Sequence, residues 1–208
     1  QLSTLGPALA VADVNRDGLD DFYIGGAAGQ SGQLFIQQKN SGFVASKGSD
    51  FSAAITSEET SAVFFDANGD GYPDLYVVSG GNELEDEHPD LSDHFYLNDG
   101  KGNLIPSPSS IPSIKRNKSC VDIADIDKDG DIDLFVGGLA NAKMYGISQD
   151  SYLLLNDGKG VFAKAGQEIV RLDSLGMVTS AAFHDINADG WSDLVVAGEW
   201  MPLTLFLN

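Results

Sequence analysis

Short apolar runs alternate with acidic, glycine-containing turns along the chain. Four runs follow an aspartate-rich stretch, at residues 22–26, 75–81, 134–138 and 194–198. Four more runs precede the same stretches, at residues 8–12, 61–65, 120–124 and 180–184. Their length of about five residues, their β-branched and aromatic content, and the turns that bracket them favour strands. The pattern therefore predicts an all-β chain in which acidic loops join pairs of strands.

The acidic stretches are copies of one nine-residue motif. They read DVNRDGLDD (13–21), DANGDGYPD (66–74), DIDKDGDID (125–133) and DINADGWSD (185–193). Positions 1, 5 and 9 are aspartate, position 3 is aspartate or asparagine, and position 6 is glycine in every copy. The starts lie 53, 59 and 60 residues apart, which identifies a structural repeat.

A second turn recurs within each repeat. The segments YLNDGKGNL (96–104) and LLNDGKGVF (154–162) are near copies, and FIQQKNSGFV (35–44) fits the same frame. Asn-Asp-Gly between apolar runs predicts a hairpin, because glycine accepts a positive φ. Each repeat therefore reads as four antiparallel strands, with the acidic loop between the first two.

Repeats of four short strands are typical of β-propeller blades. We predict one propeller domain over residues 1–208, with repeats at about 6–48, 60–108, 118–166 and 178–208. The last repeat is incomplete, because Asn208 aligns with Asn98 and Asn156 and no outer strand follows it. About three and a half blades are present on this count. A set of ordinary hairpins in a sandwich is the alternative.

The charge balance narrows the classes of partner. The chain has 12 basic and 31 acidic side chains, which gives a net charge of −19. Binding to nucleic acid or to an anionic membrane surface is disfavoured, because no basic surface is available. No run approaches the roughly 20 apolar residues that membrane insertion requires. Cys120 is the single cysteine, so an internal disulfide is excluded, and its strand-like surroundings predict that it is buried.

The acidic loops have the chemistry of calcium sites. Side chains at positions 1, 3 and 5 converge from a tight turn, the carbonyl at position 7 points inward, and the aspartate at position 9 closes the shell. Six or seven flexible oxygen ligands favour Ca²⁺ over Mg²⁺, and the loops lack the His or Cys that transition metals prefer. An EF-hand needs glutamate at position 12. That position is aliphatic in all four copies: Ile24, Val77, Val136 and Val196.

These loops and the strands that follow them resemble the FG-GAP repeat of integrin α-chain propellers and the related VCBS repeats of secreted bacterial proteins. The LNDGKG turns and the GEWMP stretch (198–202) are most similar to the bacterial relatives of cartilage acidic protein. The resemblance covers nearly the whole chain. It implies a seven-bladed propeller, of which this chain is a fragment; the alternative is a small ring in which residues 1–6 supply the missing strand.

The resemblance also implies the ligands of up to four structural calcium ions. The first two loops would use Asp13, Asn15, Asp17, the Leu19 carbonyl and Asp21, then Asp66, Asn68, Asp70, the Tyr72 carbonyl and Asp74. The other two would use Asp125, Asp127, Asp129, the Asp131 carbonyl and Asp133, then Asp185, Asn187, Asp189, the Trp191 carbonyl and Asp193.

The expected function is recognition or adhesion outside the cytosol. We expect a calcium-binding module on the cell surface, secreted or in the periplasm, with an unidentified protein or glycan as partner. The lengthened links at 82–93 and 141–151 are candidate binding loops. Trp200 is expected to pack between blades, and stacking on a sugar or peptide is the alternative. No catalytic motif is recognisable, so we expect no enzyme activity. The alternative is a propeller scaffold of a polysaccharide lyase or hydrolase.

Overall fold

The computed structural model describes residues 7–40, 42–144, 146–166 and 171–208. Within them, fifteen strands form four consecutive antiparallel sheets. Sheet 1 contains β1 (Leu9–Ala12), β2 (Asp21–Ile24), β3 (Gln33–Gln38) and β4 (Gly42–Ala45). Sheet 2 contains β5 (Glu58–Phe65), β6 (Asp74–Gly80), β7 (His94–Asn98) and β8 (Leu104–Pro106). Sheet 3 contains β9 (Lys118–Ala124), β10 (Asp133–Gly138), β11 (Tyr152–Asn156) and β12 (Phe162–Lys164). Sheet 4 contains β13 (Met177–His184), β14 (Asp193–Glu199) and β15 (Thr204–Phe206).

The predicted repeat is confirmed by this topology. Strands follow chain order within every sheet, and each acidic loop joins the first strand to the second. Sheet 4 has three strands in the described residues, as the alignment of Asn208 predicts. The proposed ring closure by residues 1–6 lies outside the described residues.

Three first strands begin earlier than the apolar pattern indicates. β5, β9 and β13 start at Glu58, Lys118 and Met177, before the predicted residues 61, 120 and 180. A register shift separates each extension from the rest of its strand pairing. The irregularity interrupts the period-two pattern, so the apolar signal alone stops at the shift.

The sheets pack face to face in sequence. The first strands of successive sheets contact each other, β1 with β5, β5 with β9 and β9 with β13. Each interface encloses its own apolar cluster. Those clusters include Tyr23, Leu75 and Tyr96 between sheets 1 and 2, Tyr76, Phe95 and Leu154 between sheets 2 and 3, and Phe135, Leu153 and Val196 between sheets 3 and 4. The arrangement is blade-like, with the first strands nearest one another.

Because neighbouring strands are antiparallel, the connections segregate to two ends. We call the end with loops 13–21, 66–74, 125–133 and 185–193 the acidic end. The links between second and third strands lie at the opposite end, which we call the long-loop end after residues 81–93 and 139–151.

Candidate calcium loops and the opposite loop end

Each acidic loop is closed by hydrogen bonds from its own backbone. One carboxylate oxygen of the position-1 aspartate accepts a bond from the N–H of the position-6 glycine, at 2.8 Å for Asp13 and 2.7 Å for Asp66. The corresponding distances are 3.2 Å for Asp125 and 2.8 Å for Asp185. The glycines have φ between +85° and +98°, which confirms why position 6 must be glycine.

Position 4 is also left-handed, which the sequence pattern does not predict. Arg16, Lys128 and Ala188 have φ near +60°. Such a conformation costs roughly 1–2 kcal/mol in a residue with a Cβ. The sequence indicates this conformation only in the second loop, where position 4 is a glycine, Gly69, with φ +72°. The loops therefore hold strain that their aspartate contacts must offset.

Carboxylate oxygens in these loops fit a cation. Ligand oxygens of Asp125, Asp127 and Asp129 lie within 4.8 Å of one another. Asp66 Oδ1 and Asp125 Oδ1 are buried and accept no hydrogen bond from any described residue. A buried carboxylate oxygen without a partner is costly unless a cation binds it. Ca²⁺ would supply positive charge to oxygens that the protein itself leaves unsatisfied.

The position-9 aspartate connects the loop to the third strand. Asp21, Asp74, Asp133 and Asp193 are all almost completely buried. In each, Oδ2 accepts the position-2 N–H, and Oδ1 accepts an N–H from the third strand or, for Asp193, from Asn208 two residues beyond it. Each oxygen keeps a second lone pair, so the proposed role in calcium binding remains compatible with this clamp.

Burial disfavours the ionised form of two of these position-9 aspartates. It raises the pKa of Asp74 and of Asp133 to about 6, although two backbone N–H bonds to each carboxylate act in the opposite direction. Nearby loop carboxylates raise both pKa values further. A cation among the same side chains would favour the ionised form.

An asparagine links each sheet to the acidic loop of the sheet before it. Asn98 Nδ2 donates to the Val14 carbonyl at 2.9 Å, and Asn156 Nδ2 donates to the Ala67 carbonyl at 2.8 Å. Asn208 Nδ2 repeats the contact with the Ile126 carbonyl at 2.6 Å. The acceptor is position 2 of the loop every time, so the third strand of one sheet fixes the loop of its neighbour.

Two cation–π contacts also join neighbouring loops. The guanidinium carbon of Arg16 lies 4.6 Å from the ring centre of Tyr72, and Lys128 Nζ lies 4.0 Å from that of Trp191. In both pairs position 4 of one loop covers position 7 of the next. The four predicted sites therefore form one connected acidic end.

At the long-loop end, the links of sheets 2 and 3 contact each other. Asn141 Nδ2 and Gln149 Nε2 donate to the carboxylate of Asp86 at 2.8 Å and 3.0 Å. Lys143 forms an ion pair with Glu85. The two predicted binding loops are thus brought together into one surface.

Polar groups are buried beneath this surface. Lys118 is fully buried, and its Nζ lies 3.2 Å from Asp93 Oδ1 and donates to three backbone carbonyls. Tyr76 donates to Asp93 Oδ2 at 2.7 Å. Between sheets 1 and 2, Tyr23 donates to Glu59 Oε1 at 2.8 Å. The contacts of Asp93 attach the long loop of sheet 2 to the interface with sheet 3, and the pair Tyr23–Glu59 joins sheets 1 and 2. Sequence patterns gave no sign of either.

Trp200, which we expected to pack between blades, contacts the neighbouring sheet but is not enclosed by it. Its side chain is 75% exposed, and it lies against Gly146 in the long loop of sheet 3. Met201, the next residue, supplies the packing contact instead and covers Gly176 and Gly198. The turn accounts for this difference, because the left-handed backbone of Trp200 (φ +57°) directs the side chains of Trp200 and Met201 to different sides.

Two further residues of β9, Cys120 and Asp122, lie at the interface with sheet 4. Cys120 is buried, as expected. Asp122 interrupts an apolar strand because its Oδ2 accepts the Phe183 N–H at 2.7 Å, which joins β9 to β13.

Family comparison supports this architecture. The FG-GAP-like repeat family matches residues 10–77 and 79–136, more than half of the chain. The chain belongs to this FG-GAP-like repeat family. The resemblance inferred from the acidic loops is therefore confirmed. No curated protein matches the sequence closely enough to count as a relative.

Two solved structures are similar to this FG-GAP-like protein. One is an Agrocybe aegerita lectin, described for its specific recognition of non-reducing terminal N-acetylglucosamine, with a TM-score of 0.54 and 18% identity over 93% of this chain and 47% of the lectin. The other is the Vibrio cholerae biofilm matrix protein Bap1, with a TM-score of 0.44 and 18% identity over 92% of this chain and 28% of Bap1. The chain thus spans about half the length of the lectin, and that likeness shows the fold alone.

The helices of the described residues are short 3₁₀ turns. None of them is long and apolar enough to cross a membrane.

Proposed function

We propose that the chain is a calcium-stabilised recognition module of an extracellular, cell-surface or periplasmic protein, which binds a glycan or a protein. The observation that carries this proposal is the separation of the two ends. Repeated acidic loops with unsatisfied buried oxygens lie at one end, and two interlocked long loops lie at the other. Calcium is structural in this account, and the long-loop end contacts the partner.

The calcium-rich compartment follows from the chemistry of the loops. Extracellular calcium modules bind with Kd of roughly 10⁻⁴–10⁻³ M. Sites of that affinity fill outside the cytosol and remain empty inside it. The lectin and the matrix protein among the similar structures are compatible with recognition, although their binding properties belong to those proteins.

The exposed sheet faces support a larger propeller. Leu9 and Val11 on sheet 1 are 63% and 57% exposed, and Leu205 and Leu207 on sheet 4 are 47% and 61% exposed. Equivalent faces in the interior are buried between sheets. Further blades would cover them, so the 208-residue chain alone should self-associate in size-exclusion chromatography with light scattering. A stable monomer up to high concentration would argue against additional blades.

Recognition is tested by incubating the labelled protein with a glycan array in calcium and in chelator, followed by an activity screen on the bound polysaccharides. We expect calcium-dependent binding without turnover. Turnover would replace this proposal with the polysaccharide-active enzyme, and undiminished binding in chelator by a protein that has lost its calcium would remove the structural role of the ion.

A further inference from the structure

The second (66–74) and fourth (185–193) acidic loops offer a cation the same side chains in different surroundings. Both have aspartate at positions 1, 5 and 9, asparagine at position 3 and an aromatic residue at position 7, and neither carries another charged residue. A basic side chain of the preceding loop covers the aromatic ring in each, Arg16 over Tyr72 and Lys128 over Trp191. Because the ligand charges are equal, a difference in calcium affinity would have to come from what holds each loop.

The second loop is covered by sheet 3. Asn156 Nδ2 donates to the carbonyl of Ala67 at position 2, and Ala67 is only 2% exposed. A Cβ placed on Gly160, in the LNDG turn of sheet 3, would lie 3.7 Å from Asn68 Cβ, so this turn lies beside the position-3 residue. The next sheet therefore holds two neighbouring positions of this loop in place.

The first loop is covered by sheet 2 in the same way. Asn98 Nδ2 donates to the carbonyl of Val14, which is completely buried. A Cβ placed on Gly102 would lie 2.8 Å from Asn15 Cβ, so glycine is needed for the turn to approach position 3 this closely. The cover of the first two loops thus comes from the sheet that follows each of them.

The fourth loop lacks such cover in the part of the chain that the structure describes. Ile186 at position 2 is 47% exposed, no described residue donates to its carbonyl, and residues 187–190 are exposed as well. Position 1 differs too. Asp66 Oδ1 in the second loop is buried and has no described hydrogen-bond partner, whereas Asp185 Oδ1 in the fourth loop accepts the Asp189 N–H at 3.1 Å.

We propose that each calcium site is completed by the following sheet, so that the fourth loop is the weakest site and the last to fill. The affinity of oxygen-ligand loops depends on the rigidity of the site as well as on ligand charge. A loop that is already held loses less conformational entropy when it closes around an ion, and a buried unpaired oxygen gains more from the ion. This inference rests on the proposed calcium-binding function and adds the order in which the sites fill.

Strain at position 4 is a competing cause of a weak fourth site. Ala188 has φ +62°, which is unfavourable for a residue with a Cβ, whereas Gly69 adopts φ +72° in the second loop without that cost. Ala188→Gly makes the two loops equal in this respect. If cover by the next sheet sets the affinity, the fourth loop of Ala188→Gly should still fill after the second.

The position-6 glycines allow each site to be followed separately. The position-6 N–H donates to the position-1 carboxylate of its own loop at Gly18, Gly71, Gly130 and Gly190. The amide NMR signal of each glycine therefore reports on one loop while calcium is titrated into the whole chain at constant ionic strength. Leu205→Gln and Leu207→Gln are included in every sample, because self-association through the exposed face of sheet 4 would cover the fourth loop.

We expect the Gly190 signal to reach its midpoint at a calcium concentration at least about fivefold higher than the Gly71 signal, with Ala188 and with Ala188→Gly. Equal midpoints in either protein, or earlier filling of the fourth loop, would overturn the inference and leave calcium binding intact. The absence of a calcium-dependent shift at all four glycines would instead overturn the proposed calcium-binding function.

Asn208→Ala tests the same rule in a second loop. Asn208 follows β15 of sheet 4, yet its side chain donates to the carbonyl of Ile126 in the third loop. The variant should raise the calcium midpoint of Gly130 about threefold, the effect of one lost hydrogen bond, and leave Gly190 unchanged. Leu203→Ala, at a residue that is 74% exposed just before β15, is the matched control and should change neither midpoint. An unchanged Gly130 midpoint, or an equal change at Gly190, would contradict completion by the following sheet.

Discussion

At the scale of single residues, the third acidic loop is distinguished by an additional carboxylate at one of the predicted ligand positions. Position 3 is Asp127 there and asparagine elsewhere. In the second and fourth loops, the asparagine amide donates to the position-5 carboxylate, at 3.0 Å for Asn68 and 2.8 Å for Asn187. An ionised aspartate cannot donate, so the third loop relies more heavily on a bound cation to offset repulsion.

Asp127→Asn should therefore weaken calcium binding at the third loop by roughly tenfold, about 1.4 kcal/mol, because ligand charge sets the affinity of such loops. Calorimetric titration measures the change. The reciprocal variant Asn68→Asp should strengthen the second loop. Unchanged affinities in both variants would show that charge at position 3 does not set the affinity.

Glu59 gives the interface between sheets 1 and 2 a pH dependence. Burial raises the pKa of its carboxyl group, although the N–H of Gly26 and the hydroxyl of Tyr23 donate to it and oppose the shift. A raised folded-state pKa means that the folded state binds the proton more tightly. The favourable contribution to stability is therefore present below the unfolded-state pKa and is lost as pH rises through the folded-state value.

In saturating calcium, the free energy of unfolding of the parent protein should fall as pH rises from mildly acidic to neutral. Glu59→Gln should make this fall smaller, because glutamine does not ionise. Urea unfolding at several pH values measures the slope, and the exposed Glu199→Gln is the control. The absolute stability also changes with the hydrogen bond to Gly26, so only the slope is diagnostic. Parallel pH profiles for Glu59→Gln and the parent protein would contradict the assignment.

At the scale of elements, an asparagine at or just beyond the end of the third strand in sheets 2, 3 and 4 is the recurrent connection between sheets. Asn156 Nδ2 donates to the carbonyls of Ala67 and Ile132, and Asn98 repeats both contacts one sheet earlier. The same residues begin the LNDG turns, where their side-chain oxygens accept the N–H of Gly158 and Gly100. One side chain therefore fixes a hairpin, its own blade and the preceding acidic loop.

Asn156→Ala should lower the free energy of unfolding by about 1–3 kcal/mol, because two partly buried carbonyls lose their donor. Denaturant unfolding measures the loss, with the exposed Lys159→Ala in the same turn as control. Asn208→Ala should cost less, since Asn208 is exposed. Equally small effects for Asn156→Ala, Asn208→Ala and Lys159→Ala would show that the asparagines do not stabilise the contacts between sheets.

Local patterns predicted the elements well, and contacts between elements poorly. The acidic loops and LNDG turns are encoded by neighbouring residues, so fixed spacing reveals them. The bond from Asn98 to Val14, the pair Lys118–Asp93 and the contact of Trp200 with Gly146 each join residues far apart in the chain. Such contacts depend on how sheets stack, which no single segment specifies. The assignment of the calcium ligands remains a prediction, because the fold shows where the oxygens lie and shows no bound ion.

At the scale of the whole molecule, the interfaces between sheets change in character along the chain. The first contains Tyr23 and Glu59, and the second contains Tyr76 with Asp93 and Lys118. The third combines an apolar cluster around Phe135 with the hydrogen bond from Phe183 to Asp122. All three are tied together at the acidic end by loop-to-sheet hydrogen bonds. An ion bound in one loop would therefore stabilise two sheets.

Four weak calcium sites, if all are occupied, would be sufficient to control folding. At ten times Kd, each site contributes about 1.4 kcal/mol, so four would contribute between 5 and 6 kcal/mol, which is roughly the whole stability of many domains. Without the ions, clustered carboxylates and left-handed loop residues would destabilise the acidic end.

Thermal unfolding in calcium, in magnesium and in chelator at equal ionic strength shows whether calcium in the acidic loops stabilises the fold. With calcium at about 10 mM, roughly ten times the weakest expected Kd, the melting temperature should rise by roughly 10–20 °C over the chelated protein. Magnesium should give a much smaller rise, because it demands a stricter octahedral shell. The same melting temperature in all three solutions would contradict the account.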